Sequence, residues 1–252
     1  MTRRKPLIAG NWKMYKNIPE AVETARELVN LLNKEPTDAE VMIAPGYVLL
    51  NAVAHEIEKS SIFLGAQDLF WEKEGAYTGA ICADMLVSAG CKYVIIGHSE
   101  RRQYFSETDE HVNLKIRAAI SSGLAPILCV GETEIERESE ETFSVLDKQI
   151  QLGLKSFSYD ELEKLVVAYE PVWAIGTGKT ATSRQAQEVH KFLRNALENR
   201  FGNALAENIR ILYGGSVKPD NIAELMAMPD VDGALVGGAS LNAGIFFRIV
   251  SF

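Results

Sequence analysis

The chain has 252 residues, 47% of them hydrophobic and 24% charged, which is enough apolar material to bury a large core in an ordinary globular fold. That length is long for one open domain but natural for a single closed α/β barrel. The net charge of −8, with no strongly basic segment, argues against nucleic acid as a partner, although a cleft can still focus a positive field on a small anion.

The start, Met1 to Pro6, is basic, but the apolar run Leu7–Gly10 is too short for the core of a signal peptide. No run approaches the roughly 18 apolar residues of a membrane helix, so no membrane partner is expected. Cys82, Cys91 and Cys129 are odd in number and lack Cys-x-x-Cys spacing. They read as reduced, buried packing residues of a cytoplasmic protein.

No linker or low-complexity tract divides the chain. Short apolar runs recur at Leu7–Ala9, Val41–Ala44, Ile62–Leu64, Tyr93–Ile96, Pro126–Val130, Leu165–Tyr169, Ile209–Tyr213 and Ala234–Val236. Their near-continuous apolar character marks parallel strands covered on both faces. Between them lie helical patterns, including Glu20–Lys34, Asp109–Ser122, Glu136–Lys155, Arg184–Phe201 and Asn221–Met228. Eight alternations in this length predict one (β/α)8 barrel domain over residues 1–252, with an open doubly wound sheet as the alternative.

The residues just past each run carry more information. In order come Asn11 and Lys13, Pro45, Gln67, His98, Gly131-Glu132, Glu170, Gly214-Gly215 and Gly237-Gly238. Polar and titratable residues thus gather beyond the C-terminal strand ends, where barrel active sites lie. Turn chemistry alone explains the glycines and Pro45, but not Lys13, His98 and Glu170 together.

The stretch Val166–Lys179 is the most telling. An apolar run ends at the lone carboxylate of Glu170, which Pro171 keeps extended. The segment through Val172, Trp173, Ala174, Ile175, Gly176, Thr177, Gly178 and Lys179 leads to Thr182-x-x-Gln185, which has the form of a capping box. A carboxylate at a strand tip beside such a loop suggests a general base under a lid. Gly178-Lys179-Thr180 imitates the end of a P-loop, but Trp173 stands where its first glycine belongs. The loose dinucleotide pattern from Gly176 fails as well, because several residues separate it from the strand.

His98 is expected at a strand-to-helix turn, where a helix N-terminus favours the neutral imidazole. His55, His111 and His190 fall in amphipathic patterns and are assigned no role. No metal-ligand spacing and no Gly-x-Ser-x-Gly motif appear, so no metal and no cofactor are expected. A base, a neutral proton donor and a cation suit proton abstraction next to a carbonyl, with the enediolate held by His98 and Lys13. Gly214-Gly215-Ser216 and Gly237-Gly238 come after the seventh and eighth runs, where many barrels bind phosphate through backbone N–H groups; Gly176 could add another.

Asn11-Trp12-Lys13, Gly97-His98-Ser99-Glu100-Arg101-Arg102, Ala168 to Lys179, Tyr213 to Ser216 and Gly237 to Ser240 resemble the triosephosphate isomerase family. The likeness runs from about Leu7 to Leu241 and implies a TIM barrel that interconverts dihydroxyacetone phosphate and D-glyceraldehyde 3-phosphate. It implies Glu170 as base, His98 as electrophile, Lys13 and Asn11 as charge-stabilising binders, and Glu100 in the catalytic set. Phosphate falls to Gly176, Ser216, Gly237 and Gly238, residues 171–179 form the lid, and Tyr213 helps to latch it. By the same likeness the aromatic loop 67–79 plugs into a second subunit to form a homodimer. The sequence departs from the family at Asp68, where Asn is usual, at Ala80, where Glu usually pairs with Arg101, and at Asn242-Ala243-Gly244. The first two imply a dimer that dissociates more readily. A Schiff-base aldolase using Lys13 and a non-catalytic phospho-sugar binder are the competing readings.

Overall fold

Eight short parallel strands close into a barrel in chain order: β1 (Leu7–Asn11), β2 (Glu40–Ala44), β3 (Ile62–Ala66), β4 (Tyr93–Ile96), β5 (Ala125–Val130), β6 (Val166–Tyr169), β7 (Arg210–Tyr213) and β8 (Gly233–Val236). These come from a computed structural model that describes residues 4–176 and 179–252. β1 pairs with β2 from Leu7 opposite Glu40, and with β8 from Leu7 opposite Gly233, so the sheet has no free edge.

Period-two geometry explains the unbroken apolar runs. Leu7 and Ala9, Met42 and Ala44, Ile95, Ile127 and Cys129 form the barrel interior, while Ile8, Val41, Ile43, Val94 and Leu128 join the layer beneath the helices. Both faces are dry, so every strand position can be apolar. At the N-terminal end Arg210 donates to Glu40 at 3.1 Å and to the Tyr93 hydroxyl at 2.9 Å, and Tyr93 also bonds Glu40. That polar plug closes the bottom and leaves the opposite end for a site.

Helices cover the outside: α1 (Ile18–Lys34), α2 (Leu50–Ile57), α3 (Ala83–Ser88), α4 (Ser99–Tyr104), α5 (Asp109–Ser121), α6 (Glu134–Glu138), α7 (Thr142–Gly153), α8 (Ser183–Phe201), α9 (Asn203–Asn208), α10 (Ile222–Met226) and α11 (Ala243–Val250). Thr182 and Gln185 form the capping box expected at the start of α8. The pattern Glu136–Lys155, expected as one helix, is two. Glu140 adopts φ +59° between them, and the Glu141 amide reaches back to the Glu136 carbonyl at 2.8 Å. Glu136, Glu138, Glu140 and Glu141 crowd like charge onto a helix C-terminus, where the dipole disfavours it, and the helix ends. Among the described residues no helix is long and apolar enough to cross a membrane.

His190 on α8 is fully buried among Tyr169, Tyr213 and the Asp230 carbonyl. Burial lowers its pKa to about 4. The unfolded chain takes up a proton near 6.5 and the folded one does so only near 4, so stability is intact above the first value and falls as pH drops towards the second. Urea titrations are expected to lose about 3 kcal/mol from this group across that window, and His190→Asn is expected to flatten the slope.

Candidate active site

Three backbone devices set up the site at the C-terminal mouth. Gly97, at φ +75°, ends β4 so tightly that a Cβ there would lie 3.2 Å from the Cys129 carbonyl and 3.0 Å from Val112, a strained and crowded position that favours glycine. His98 then caps α4, its Nδ1 accepting the Glu100 amide at 3.2 Å. In the neutral ring that leaves the proton on Nε2, as expected for an imidazole at a helix N-terminus. Lys13 is held at φ +51°, its amide donating to Asn11 Oδ1 at 3.0 Å and its carbonyl accepting Gln67 Nε2 at 2.8 Å.

Glu170 leaves β6 extended and is 2% exposed. Its Oε1 lies 2.9 Å from His98 Nε2, and its Oε2 accepts the Ser99 amide at 2.8 Å. Burial opposes ionisation of this carboxyl, but His98, the Ser99 amide and Lys13 outweigh it and hold the pKa below its ordinary value. Burial likewise opposes a charged His98. The neighbouring Glu170 carboxylate prevails over it and, helped by Glu100, draws the ring's pKa upward in this arrangement. Lys13 Nζ meets Glu100 Oε1 at 2.6 Å.

A cavity of about 350 Å³ is lined by Asn11, Lys13, His98, Glu170, Gly176, Ser216, Gly237 and Gly238, so residues expected in both the chemical and the phosphate-binding sets share one space. A second cavity, of about 780 Å³, runs past Ser99, Glu100 and Glu134; Glu170 and Ile175 line both. Gly215 must be glycine because a Cβ there would sit 2.3 Å from the Tyr213 hydroxyl. Tyr213 lies beneath this wall, fully buried, its pKa pushed up to about 12 chiefly by burial. Its hydroxyl makes no hydrogen bond of normal geometry, although the Ala181 amide faces it closely enough to favour the phenolate.

The loop after Glu170 is fixed at its base. Pro171 is buried beside Gly214-Gly215, the Val172 amide donates to the Glu132 carbonyl at 3.1 Å, and Ala174 is buried. Further along it opens: Gly176 is exposed at φ +70°, and Lys179 pairs with Glu134 on α6. Thr177 and Gly178, expected in the lid, lie outside the described residues.

Two supports escaped the sequence reading. Glu132 is fully buried and accepts the Tyr169 hydroxyl at 3.0 Å, Trp173 Nε1 at 2.9 Å and Arg137 at 3.1 Å, pinning the loop base. In the sequence its signal is a carboxylate one glycine past an apolar run, counted among the polar residues at the strand ends but given no role. Glu107 accepts the Gly97 amide at 3.0 Å and binds Arg101 and Lys115, each at 2.8 Å. Asp68 meets Lys115 at 2.6 Å and Arg101 at 2.9 Å. This four-charge cluster grips both sides of the turn that carries His98.

A family model described as triosephosphate isomerase matches residues 6–252. The triosephosphate isomerase of Geobacter metallireducens is 57% identical over 249 residues, covering 99% of each chain. That of Geotalea uraniireducens is 55% identical over 249 residues with the same coverage. The chain belongs to the triosephosphate isomerase family. A crystal structure of the family member from Bartonella henselae superposes with a TM-score of 0.87 at 40% identity, covering 97% of each chain. Arg101 finds two carboxylate partners, Asp68 and Glu107, within its own chain.

Proposed function

We propose that this chain is a triosephosphate isomerase, interconverting dihydroxyacetone phosphate and D-glyceraldehyde 3-phosphate without a cofactor. Glu170 takes a proton from the carbon beside the substrate carbonyl. His98 donates from Nε2 to the carbonyl oxygen, and an enediolate results. Returning the proton to the neighbouring carbon, while His98 relays the proton of the substrate's adjacent hydroxyl to the former carbonyl oxygen, completes the exchange. When Glu170 turns to the substrate, the carboxylate that draws the His98 pKa upward is withdrawn, and the helix amide on Nδ1 favours the neutral donor. Lys13 and Asn11 stabilise the developing charge; Glu100 holds Lys13 until substrate arrives. The observation that carries this reading is the 2.9 Å contact of Glu170 with His98 in one cavity with Lys13.

The amides of Gly176, Ser216, Gly237 and Gly238 receive the phosphate. Residues 171–179 close over it, with Tyr213 as part of the latch. Positioned acid–base groups contribute about 10²–10⁴-fold, or roughly 3–5 kcal/mol, while enzymes lower barriers by about 8–23 kcal/mol. The remainder calls for Lys13 and the lid amides acting in a site closed to water. The test couples glyceraldehyde 3-phosphate formed from dihydroxyacetone phosphate to a dehydrogenase. Turnover by wild type is expected; none would overturn the assignment.

We also assign the chain one barrel domain over residues 1–252, a cytoplasmic setting in glycolysis and gluconeogenesis, and a homodimer built through loop 67–79. Phe70 packs on Trp71 and Tyr77 at 4.1 and 4.7 Å between ring centroids, and Met14, Tyr15 and Val48 expose apolar surface. Sedimentation over a dilution series is expected to show a dimer that dissociates on dilution; monomer at every concentration would refute it.

A further inference from the structure

A small dianion approaching this molecule meets a net charge of −8 and, at the mouth, the carboxylates of Glu170 and Glu100. Two lysines line the cavity, Lys13 and Lys218. They are not equivalent. Lys13 Nζ is already engaged by Glu100 at 2.6 Å. Lys218 is exposed, and its ammonium has no ion pair or hydrogen bond among the described residues.

Its backbone, by contrast, is held firmly. The Lys218 amide donates to Asn221 Oδ1 at 2.8 Å, and its carbonyl accepts the amides of Asn221 and Ile222, each at 3.2 Å. Asn221 Nδ2 then donates to the Ser216 carbonyl at 3.0 Å, tying this turn to the wall where the phosphate amides lie. The preceding residue, Val217, is buried. A fixed backbone carrying an unneutralised ammonium on a flexible stem at the rim leaves that charge available to attract an anion.

We propose that Lys218 is the recruiting cation of the site: it draws the phosphate dianion to the rim and hands it to the backbone amides, while Lys13 remains engaged near the reacting carbon. This rests on the phosphate-binding role proposed above. An interaction between exposed charges depends on ionic strength, because the Debye length falls from about 30 Å at 0.01 M salt to about 3 Å at 1 M.

The test compares wild type with Lys218→Gln, Lys218→Glu and Lys218→Arg. At about 0.01 M ionic strength, Lys218→Gln is expected to lower kcat/KM by roughly threefold to tenfold and Lys218→Glu by more, with kcat unchanged and Lys218→Arg close to wild type. The differences are expected to shrink towards nothing at about 1 M salt. Calorimetric titration with inorganic phosphate gives a readout that needs no turnover, and the two charge-removing variants are expected to bind it correspondingly more weakly at low salt. If wild type binds phosphate but turns over no triose phosphate, the parent assignment fails while the phosphate comparison still decides this one. Unchanged kcat/KM and phosphate affinity at low salt would overturn the proposal. So would a loss that persists undiminished at high salt, which marks a short-range contact instead.

Discussion

Replacing Glu170 by glutamine is expected to lower kcat by about 10³–10⁴-fold, near the upper end for a positioned acid–base group, with KM little changed. The substitution is close to isosteric but keeps one acceptor oxygen: the side-chain carbonyl can still accept the Ser99 amide, now at 2.8 Å from Oε2, while the amide nitrogen replaces the Oε1 that lies 2.9 Å from His98 Nε2. The basic lone pair is what disappears. Glu170→Asp separates basicity from placement: the carboxylate remains but is drawn back by one methylene. A displacement of about 1 Å can cost on the order of 10²-fold, so aspartate is expected between wild type and glutamine. Steady-state kinetics of the two variants beside wild type check the order. Glutamine matching aspartate at a tenfold loss or less would point to a base elsewhere.

The second large effect concerns stability. Arg194 on α8 is buried, donating to Asp230 Oδ1 at 2.7 Å, Asp232 Oδ2 at 2.6 Å, and the carbonyls of Ala206 and Ile209 at 2.5 and 3.0 Å. It joins α8, α9 and the segment leading into β8. Arg194→Met keeps most of the side chain's bulk and removes the charge and all these donors. Asp232 would keep Arg4, 2.6 Å from its other oxygen, and the Ile211 amide at 2.9 Å, whereas Asp230 would lose its cation. Breaking such a buried set typically costs about 3–5 kcal/mol, because a desolvated carboxylate and two carbonyls are left short of donors. At this chain length that corresponds to a melting temperature lower by roughly 10 °C. Urea unfolding of Arg194→Met and Arg194→Lys is the check, with lysine expected to recover part of the loss. A drop below about 1 kcal/mol would show that the cluster relaxes or hydrates instead.

How much of the molecule is legible in its sequence depends on the range of the interaction. The strands were visible because burial on both faces writes itself as unbroken apolar runs, and their observed ends lie within two residues of the expected ones. Asn11, Lys13, His98 and Glu170 were recognisable because parallel closure brings every C-terminal strand end to one mouth. Helix limits were less legible. The break at Glu140 comes from charge crowding at a helix end, which apolar periodicity ignores. Leu50–Ile57 is a short helix without a side-chain cap, and only the amphipathic pattern around His55 signals it, without bounds. Least legible were the contacts between residues far apart in sequence. Glu132 reads as one more strand-end carboxylate with no assigned role until Trp173, 41 positions later, folds back on it. Asp68 shows in the sequence only as a departure from the family pattern; in three dimensions it is one of two carboxylates that hold Lys115 and Arg101 beside the turn of His98. No local pattern announces such pairs, because closure of the barrel creates them.

The proposed chemistry stands on one carboxylate moving one proton between adjacent carbons of the substrate. Isomerisation in deuterated water, monitored by proton NMR, tests this most directly. Wild type is expected to place solvent deuterium on the carbon that receives the returning proton, while Glu170→Gln, at equal protein concentration, is expected to place almost none there. Deuterium entering equally fast with glutamine at position 170 would contradict that role for Glu170.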